Sequence, residues 1–500
     1  MAPSIRKLVG KAIGKAKQTK QVLTPDSLTK FVDSRFGFTN TMLKPAPSYS
    51  LNPFYWLGAL AIMAFGIQVL TGFLMLLYYI PTPAQAYAST ILIMQTVPFG
   101  ELIETVHLYG AYAMILLTFL HLMRGYFASA QKKPRELMWV TGMVMGIVTL
   151  MMGLTGYLLP WTVVSKSATD VSISMIGLLP PQLAGIVTYL AAGNTGNTAE
   201  LTRFFDLHIL ILPTVLILLF AAKMYMFETH GASEPPTGLK GEVKYHQWFP
   251  GVLSYLMMIG AVFLGLLLAA SVLFPLALPP EYSIAAAASY TAQPDWYFIS
   301  LYQLLKLGMF AGVHEPDAMA LVTVGLVLAV ILPFVDRNQR RNPLQRPVYS
   351  TLGLVFIVEL VWLTIWGYLT PGQDIPIPQS IAGLAIPALV TIGAVWVVWR
   401  MRKPARTPSP ASQPTTAKGS SGSLMRVMRT PFKVPALTGS FVILLLVGSI
   451  AFASFVNSFS AIQSEAGMFF FSLVTLVGSF AFMAFIVKRL VRINESARQA

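Results

Sequence analysis

Ten long runs almost free of charged residues constrain this chain more than any other feature. They lie at about 53–79, 106–128, 137–160, 205–227, 251–278, 317–335, 348–370, 380–399, 435–457 and 467–487. A helix needs roughly 20 apolar residues to cross the hydrocarbon core of a bilayer. A composition 55% hydrophobic and only 11% charged excludes a soluble enzyme. The expected fold is therefore all-α and membrane-integral, with about ten transmembrane helices.

A net charge of +15 could suggest a nucleic-acid partner, but the placement of the charge points to a membrane. Nine Lys/Arg precede the first run, from Arg6 to Lys44. Others follow the second run (Lys132, Lys133, Arg135), the sixth (Arg337, Arg340, Arg341, Arg346), the eighth (Arg400, Arg402, Lys403, Arg406) and the tenth (Lys488, Arg489, Arg492). The alternate loops are nearly free of basic residues, and 82–100 has none. This asymmetry predicts both termini on the cytoplasmic side, which an even number of spans allows.

Five segments follow from the punctuation. Residues 1–50 form a basic arm, whose 5–20 stretch reads either as a helix lying on anionic lipid or as a disordered arm. Residues 51–235 hold four spans and 236–402 four more. Residues 403–433, rich in Pro, Ser, Thr and Lys, read as a flexible linker, and 434–500 as an extra transmembrane hairpin. Two long outer loops, 161–203 and 277–316, are amphipathic, and loops of that kind are usually functional. The chain has no cysteine. It therefore cannot bind an iron–sulfur cluster through thiolates or attach a c-type haem, and any such centre belongs to a partner.

His107 and His121 stand fourteen residues apart in the second run. At roughly 3.6 residues per turn and 1.5 Å rise that is nearly four turns, placing both imidazoles on one side of the helix about 21 Å apart. Such spacing suits two cofactors stacked across a bilayer. A facing helix offers His208, and fifteen residues beyond it stands Lys223. A lone intramembrane histidine can simply hydrogen-bond a neighbouring helix; a pair with a third on another helix favours ligation. Gly58 and Gly72 in the first run, and Gly142 and Gly156 in the third, repeat the fourteen-residue period. Any one glycine pair fits ordinary helix packing, but the shared period fits two flat macrocycles lying close to the backbone at two depths.

These residues resemble cytochrome b of the quinol-oxidising cytochrome bc (Rieske/cytochrome b) complexes. The resemblance covers about 50–400 and includes Gly156-Tyr157-Leu158-Leu159-Pro160-Trp161, Arg203-Phe204-Phe205 before His208, Pro294-Asp295-Trp296-Tyr297, and Leu332-Pro333-Phe334 with Arg346-Pro347. It implies an outer haem held by His107 and His208 between Gly72 and Gly156, and an inner haem with His121, Gly58 and Gly142. Arg124, one turn past His121, then either pairs with a propionate or snorkels to the membrane surface. The macrocycles would be b-type, with a-type needing the same ligands. Quinol would be oxidised at the outer face, where Asp295 occupies the place of a carboxylate, commonly Glu, that helps carry off a proton. Trp296, Tyr297, Tyr302 and Tyr157 would line the pocket. Asp295 could equally cap a short helix. Partners would be a Rieske iron–sulfur protein and a cytochrome c-type or other acceptor, a terminal oxidase included, in a homodimer or supercomplex of a prokaryotic plasma membrane.

The chain departs from that pattern at the fourth ligand. Lys223 ligates the inner iron as a neutral amine, or the iron is five-coordinate or bound by Met224, or the inner haem is absent; the sequence leaves all three open. Glu104 replaces an Arg common one turn before the first ligand, and His230 and His246 are either a variant inner quinone site or solvated loop residues. A subunit of a terminal quinol-oxidase supercomplex is the second reading. A transporter or structural membrane subunit is the alternative of another class, and neither needs the fourteen-residue period.

Overall fold

The computed structural model describes residues 45–179, 181–191, 198–238, 243–275 and 277–401. The basic arm up to 44, the linker 403–433 and the hairpin runs at 435–457 and 467–487 lie outside the described residues. Within them the protein is mostly helical, and eight segments are long and apolar enough to cross a membrane.

Helix α1 (Leu57–Leu76) is followed by the short α2 (Ala86–Thr96), then α3 (Gly100–Phe127) and α4 (Glu136–Tyr157). Helix α3 starts earlier than the apolar run at 106. Glu101 and Glu104 interrupt the hydropathy but not the helix, because glutamate is a good helix former and favours a helix N-terminus. The loop that follows α4 folds into α5 (Val163–Gly177) and α6 (Pro181–Ala191). Helix α7 (Thr198–Asp206) runs through a π-helical turn, Leu207–Ile211, into α8 (Leu212–His230), making one span of Ala199–His230. Pro213 falls in the first turn of α8. It has no N–H to give, and the wider preceding turn accommodates it. Then come α9 (Leu253–Leu273), the short α10 (Ile284–Ala288) and α11 (Trp296–Leu305), and the spans α12 (Glu315–Val335), α13 (Pro347–Leu369) and α14 (Ile377–Arg400).

Helices α1, α3, α4 and α8 form the bundle that matters for function, with α1 against α3, and α4 against both α3 and α8. A core of Ala64, Phe65, Met114, Val148, Met152, Leu207, Leu212 and Leu216 fills its middle. Phe65 lies midway between Gly58 and Gly72, and Met114 midway between His107 and His121. An apolar layer therefore separates the two levels at which the periodic residues stand.

A buried ion network joins the segment after α3 to the segment after α12. Asp336 takes Arg346 Nη2 at 2.6 Å and Lys132 Nζ at 3.1 Å, with all three side chains nearly buried. Arg346 Nη1 also donates to Ser129 Oγ at 2.7 Å, and the Tyr126 and Tyr349 rings stack 4.1 Å apart. Besides two isolated β-bridges, the departure from an all-helical expectation among the described residues is a small sheet. It pairs β1 (Pro45–Pro47) antiparallel with β2 (Tyr245–Gln247), Ala46 opposite His246, in a small unit of its own.

Candidate functional site

Each of the four periodic glycines lies against one of the four candidate ligands. A Cβ built on Gly72 would stand 3.2 Å from His107 Cε1, and one on Gly156 would stand 2.5 Å from His208 Cε1. At the other level, a Cβ on Gly58 would be 2.9 Å from His121 Cε1, and one on Gly142 would be 2.8 Å from Lys223 Nζ. Lysine 223 thus stands to its glycine as the three histidines stand to theirs.

His107 and His208 face each other with ring centroids 6.2 Å apart. Two imidazoles sharing one metal, with metal–nitrogen bonds of about 2 Å, put their ring centres on the order of 6 Å apart, so the pair fits a single iron. Their hydrogen bonds settle which nitrogen is available. Thr71 Oγ1 donates to Ile67 O at 2.7 Å and so accepts from His107 Nδ1 at 2.8 Å. His208 Nδ1 lies 3.0 Å from the Met152 carbonyl, which can only accept, and 3.3 Å from Thr155 Oγ1. Both rings therefore carry the proton on Nδ1 and present an unprotonated Nε2, the form that binds metal. Thr71 and Thr155 each directly precede a periodic glycine. That repeated Thr-Gly pair is the sequence signal that would have disclosed this second layer of support.

At the other level, His121 Nδ1 is buried and has no hydrogen-bond partner, and Lys223 is close enough to act on the ring electrostatically. Arg124 lays its guanidinium 3.7 Å over the Tyr55 ring and sets Nη2 3.4 Å from Ser233 Oγ. Glu104, one turn before His107, has a buried carboxylate oxygen without a hydrogen-bond partner.

The second feature is a narrow crevice between α4, α5 and α11, closed down by its own side chains. Tyr157, Asp295 and Tyr297 line it, together with Ala168 and Ser172 of α5. Of the residues expected there, Trp296 and Tyr302 do not line it. Trp296 stacks edge-to-face on Tyr112 at 6.1 Å, and Tyr302 is half-buried with Lys306 Nζ 5.3 Å from its ring. Tyr297 reaches α4 at Gly153, where a Cβ would stand 3.1 Å from its hydroxyl. Asp295 does cap α11, accepting the Trp296 N–H at Oδ1 over 2.7 Å. Oδ2 remains buried. Burial pushes the carboxyl up to about 6, against the opposing hydrogen bond of the Trp296 N–H and the nearby Tyr112 hydroxyl. Capping therefore uses one oxygen of the side chain and leaves the other without a hydrogen-bond partner.

Helix α5 is fixed as a cavity wall by its own ends. Thr162 and Ser165 exchange hydrogen bonds at its start (Thr162 N to Ser165 Oγ 3.0 Å, Ser165 N to Thr162 Oγ1 3.1 Å). Lys166, nearly buried, pairs with Asp170 and with Glu200 of α7, the latter at 3.6 Å. Trp161, just before α5, adopts φ +52°, a left-handed backbone unusual for an aromatic residue. Sequence reasoning did not identify Tyr112, Ala168 or Ser172, none of which belongs to a recognisable motif.

The bundle, with its two levels of histidine or lysine set against glycine, defines a helical membrane protein with the layout to hold flat metal cofactors. The family model for Cytochrome b/b6/petB matches residues 42–231, and that for Cytochrome b(C-terminal)/b6/petD matches 286–386. The chain is similar to the cytochrome bc complex cytochrome b subunit of Chlorobaculum thiosulfatiphilum, at 34% identity over 67% of this chain and 79% of that one. It is also similar to a cytochrome b of Sulfolobus acidocaldarius, at 30% identity over 88% of this chain and 80% of that one. A solved structure described as a hyperthermophilic respiratory Complex III superposes with TM-score 0.61 and 26% identity, covering 74% of this chain and 97% of that one. The chain belongs to the cytochrome b family, a family of haem-binding electron-transfer membrane proteins.

Proposed function

We propose that the protein oxidises quinol at the outer face of a prokaryotic plasma membrane, as the cytochrome b of a bc-type complex with both termini cytoplasmic. His107 and His208 would hold an outer b-type haem, and His121 and Lys223 an inner one. Haem bound there would supply one-electron carriers at two depths, and the partners of this reading are a Rieske iron–sulfur protein and a cytochrome c-type or other acceptor.

The chain's own residues do the rest. Thr71, Thr155 and the Met152 carbonyl hold the imidazoles in the ligating tautomer. The apolar layer around Phe65 and Met114 keeps the interior between the two levels dry and of low dielectric. Arg124 is the cation available to a propionate at the inner level. Asp295 accepts a quinol proton through its free oxygen as general base, Tyr157 and Tyr297 wall the pocket, and Trp296 and Tyr302 support it from α11.

The observation that carries this reading is the fourfold match of ligand to glycine, with Lys223 in the fourth place. A haem-to-protein ratio with redox difference spectra of the wild type, Lys223→Ala and Lys223→His tests it. Two haems, with one spectrum altered in both variants, is the expected result. Unchanged spectra in both variants exclude lysine ligation, and absence of any haem band in the wild type ends the cytochrome assignment.

A further inference from the structure

Asp295 poses a problem that its own helix does not solve. It is one methylene shorter than glutamate, and one of its oxygens is committed to the Trp296 N–H. Oδ2 is buried and has no hydrogen-bond partner. A short, buried carboxyl with one free oxygen needs a group to hold it toward the cavity.

Helix α3 brings such a group. Tyr112 stands five residues after His107, and its ring packs edge-to-face on Trp296 at 6.1 Å and tilted on Tyr297 at 6.5 Å. Those are the two residues that follow Asp295. The Tyr112 hydroxyl comes close enough to the Asp295 carboxyl to favour its charged form, and Tyr112 is not among the residues lining the cavity. Asp295 is thus held between a phenol on one side and the cavity on the other.

We propose that Tyr112 is a positioning residue of the quinol pocket, its phenol donating to Asp295 and orienting the free carboxylate oxygen toward bound quinol. This rests on the quinol-oxidising reading of the cavity. The titratable groups that face Asp295 are Tyr112 from α3, Tyr157 from α4, Tyr297 from its own helix and Tyr368 from α13, all phenols; Tyr290, in the loop before α11, faces Tyr157 and Tyr368. No lysine, arginine or second carboxylate acts on it among the described residues. A donor to the carboxylate stabilises its charged form, so removing the phenol destabilises that form.

The test is quinol-driven haem reduction by the purified complex, across pH values on both sides of about 6. In Tyr112→Phe the rising limb is expected to move up by about one pH unit, making the rate on the limb about tenfold lower. A rate superimposable on the wild type at every pH overturns the inference. So does a uniform loss with the limb unmoved, which is what disturbed packing alone produces. Infrared difference spectroscopy gives a reading independent of turnover. The Asp295 carboxyl C=O band, identified by its loss in Asp295→Asn, is expected at higher frequency in Tyr112→Phe, and an unmoved band overturns the inference. Asp295→Asn also separates the two levels of the argument. Undiminished quinol oxidation in that variant means the quinol reading itself fails. Lost oxidation there, with an unmoved limb in Tyr112→Phe, means only the assignment of Tyr112 fails.

Discussion

Lys223 extends its amine to a place where the corresponding positions on this bundle hold imidazoles. A lysine can bind iron only as the neutral amine, so metal binding there releases a proton and strengthens as pH rises. Lys223→Ala is expected to lose the low-spin signal of the inner haem while the outer one persists. Lys223→His is expected to keep both, with the inner band shifted; low-temperature spectra and redox titration measure this. Asp295 makes a second prediction at the same scale. Its carboxyl, raised by burial to about 6, is neutral below that pH and anionic above it. Only the anion accepts a proton, so quinol oxidation should climb through about pH 6 and level off above. Asp295→Asn should remove that limb and cost about 10²–10⁴ in rate, in steady-state turnover.

The helices matter through the register in which they present these groups. Helix α1 carries Thr71 next to Gly72, so that one turn supplies both the room for His107 and the acceptor for its Nδ1–H. Helix α4 repeats the device with Thr155 and Gly156 toward His208. Thr71→Val keeps the side-chain shape and removes the acceptor. Weakening of outer haem binding by about 10–100-fold is expected, measured by haem retention on dilution, with His208 and its Met152 partner undisturbed. The π-helical turn at Leu207–Ile211 serves the same register: the extra residue in that turn, beside Pro213, sets the phase between His208 and Lys223. This explains why the interval is fifteen on this span and fourteen on α3.

Across the whole molecule, the two halves matched by separate family models are tied by the Asp336 network. Lys132 and Tyr126 come from the first half, and Asp336, Arg346 and Tyr349 from the second. One carboxylate answers two nearly buried cations, so Asp336→Asn leaves both uncompensated. Breaking a buried pair in this way costs about 3–5 kcal/mol. A lower midpoint of thermal unfolding in detergent, with haem spectra unchanged before unfolding begins, is the expected result.

The membrane class, eight of the spans and the two levels at which histidines and glycines recur were legible in the chain alone, because apolar length and the helical period are local properties. His107, His121 and the four glycines announce themselves by spacing within single helices. Asp295 was legible as a residue but not in how its two oxygens are used, since which oxygen caps and which stays free depends on where α11 is held. Tyr112 and the α5 residues Ala168 and Ser172 were invisible, because α3, α5 and α11 are far apart in sequence and only packing brings them together. The same holds for Lys223. Its number along the chain raises the question of a fourth ligand, but only the approach of α8 to α4 sets its amine against Gly142. Periodicity along one helix is written in the order of residues, whereas contact between helices is decided by which faces bury against each other.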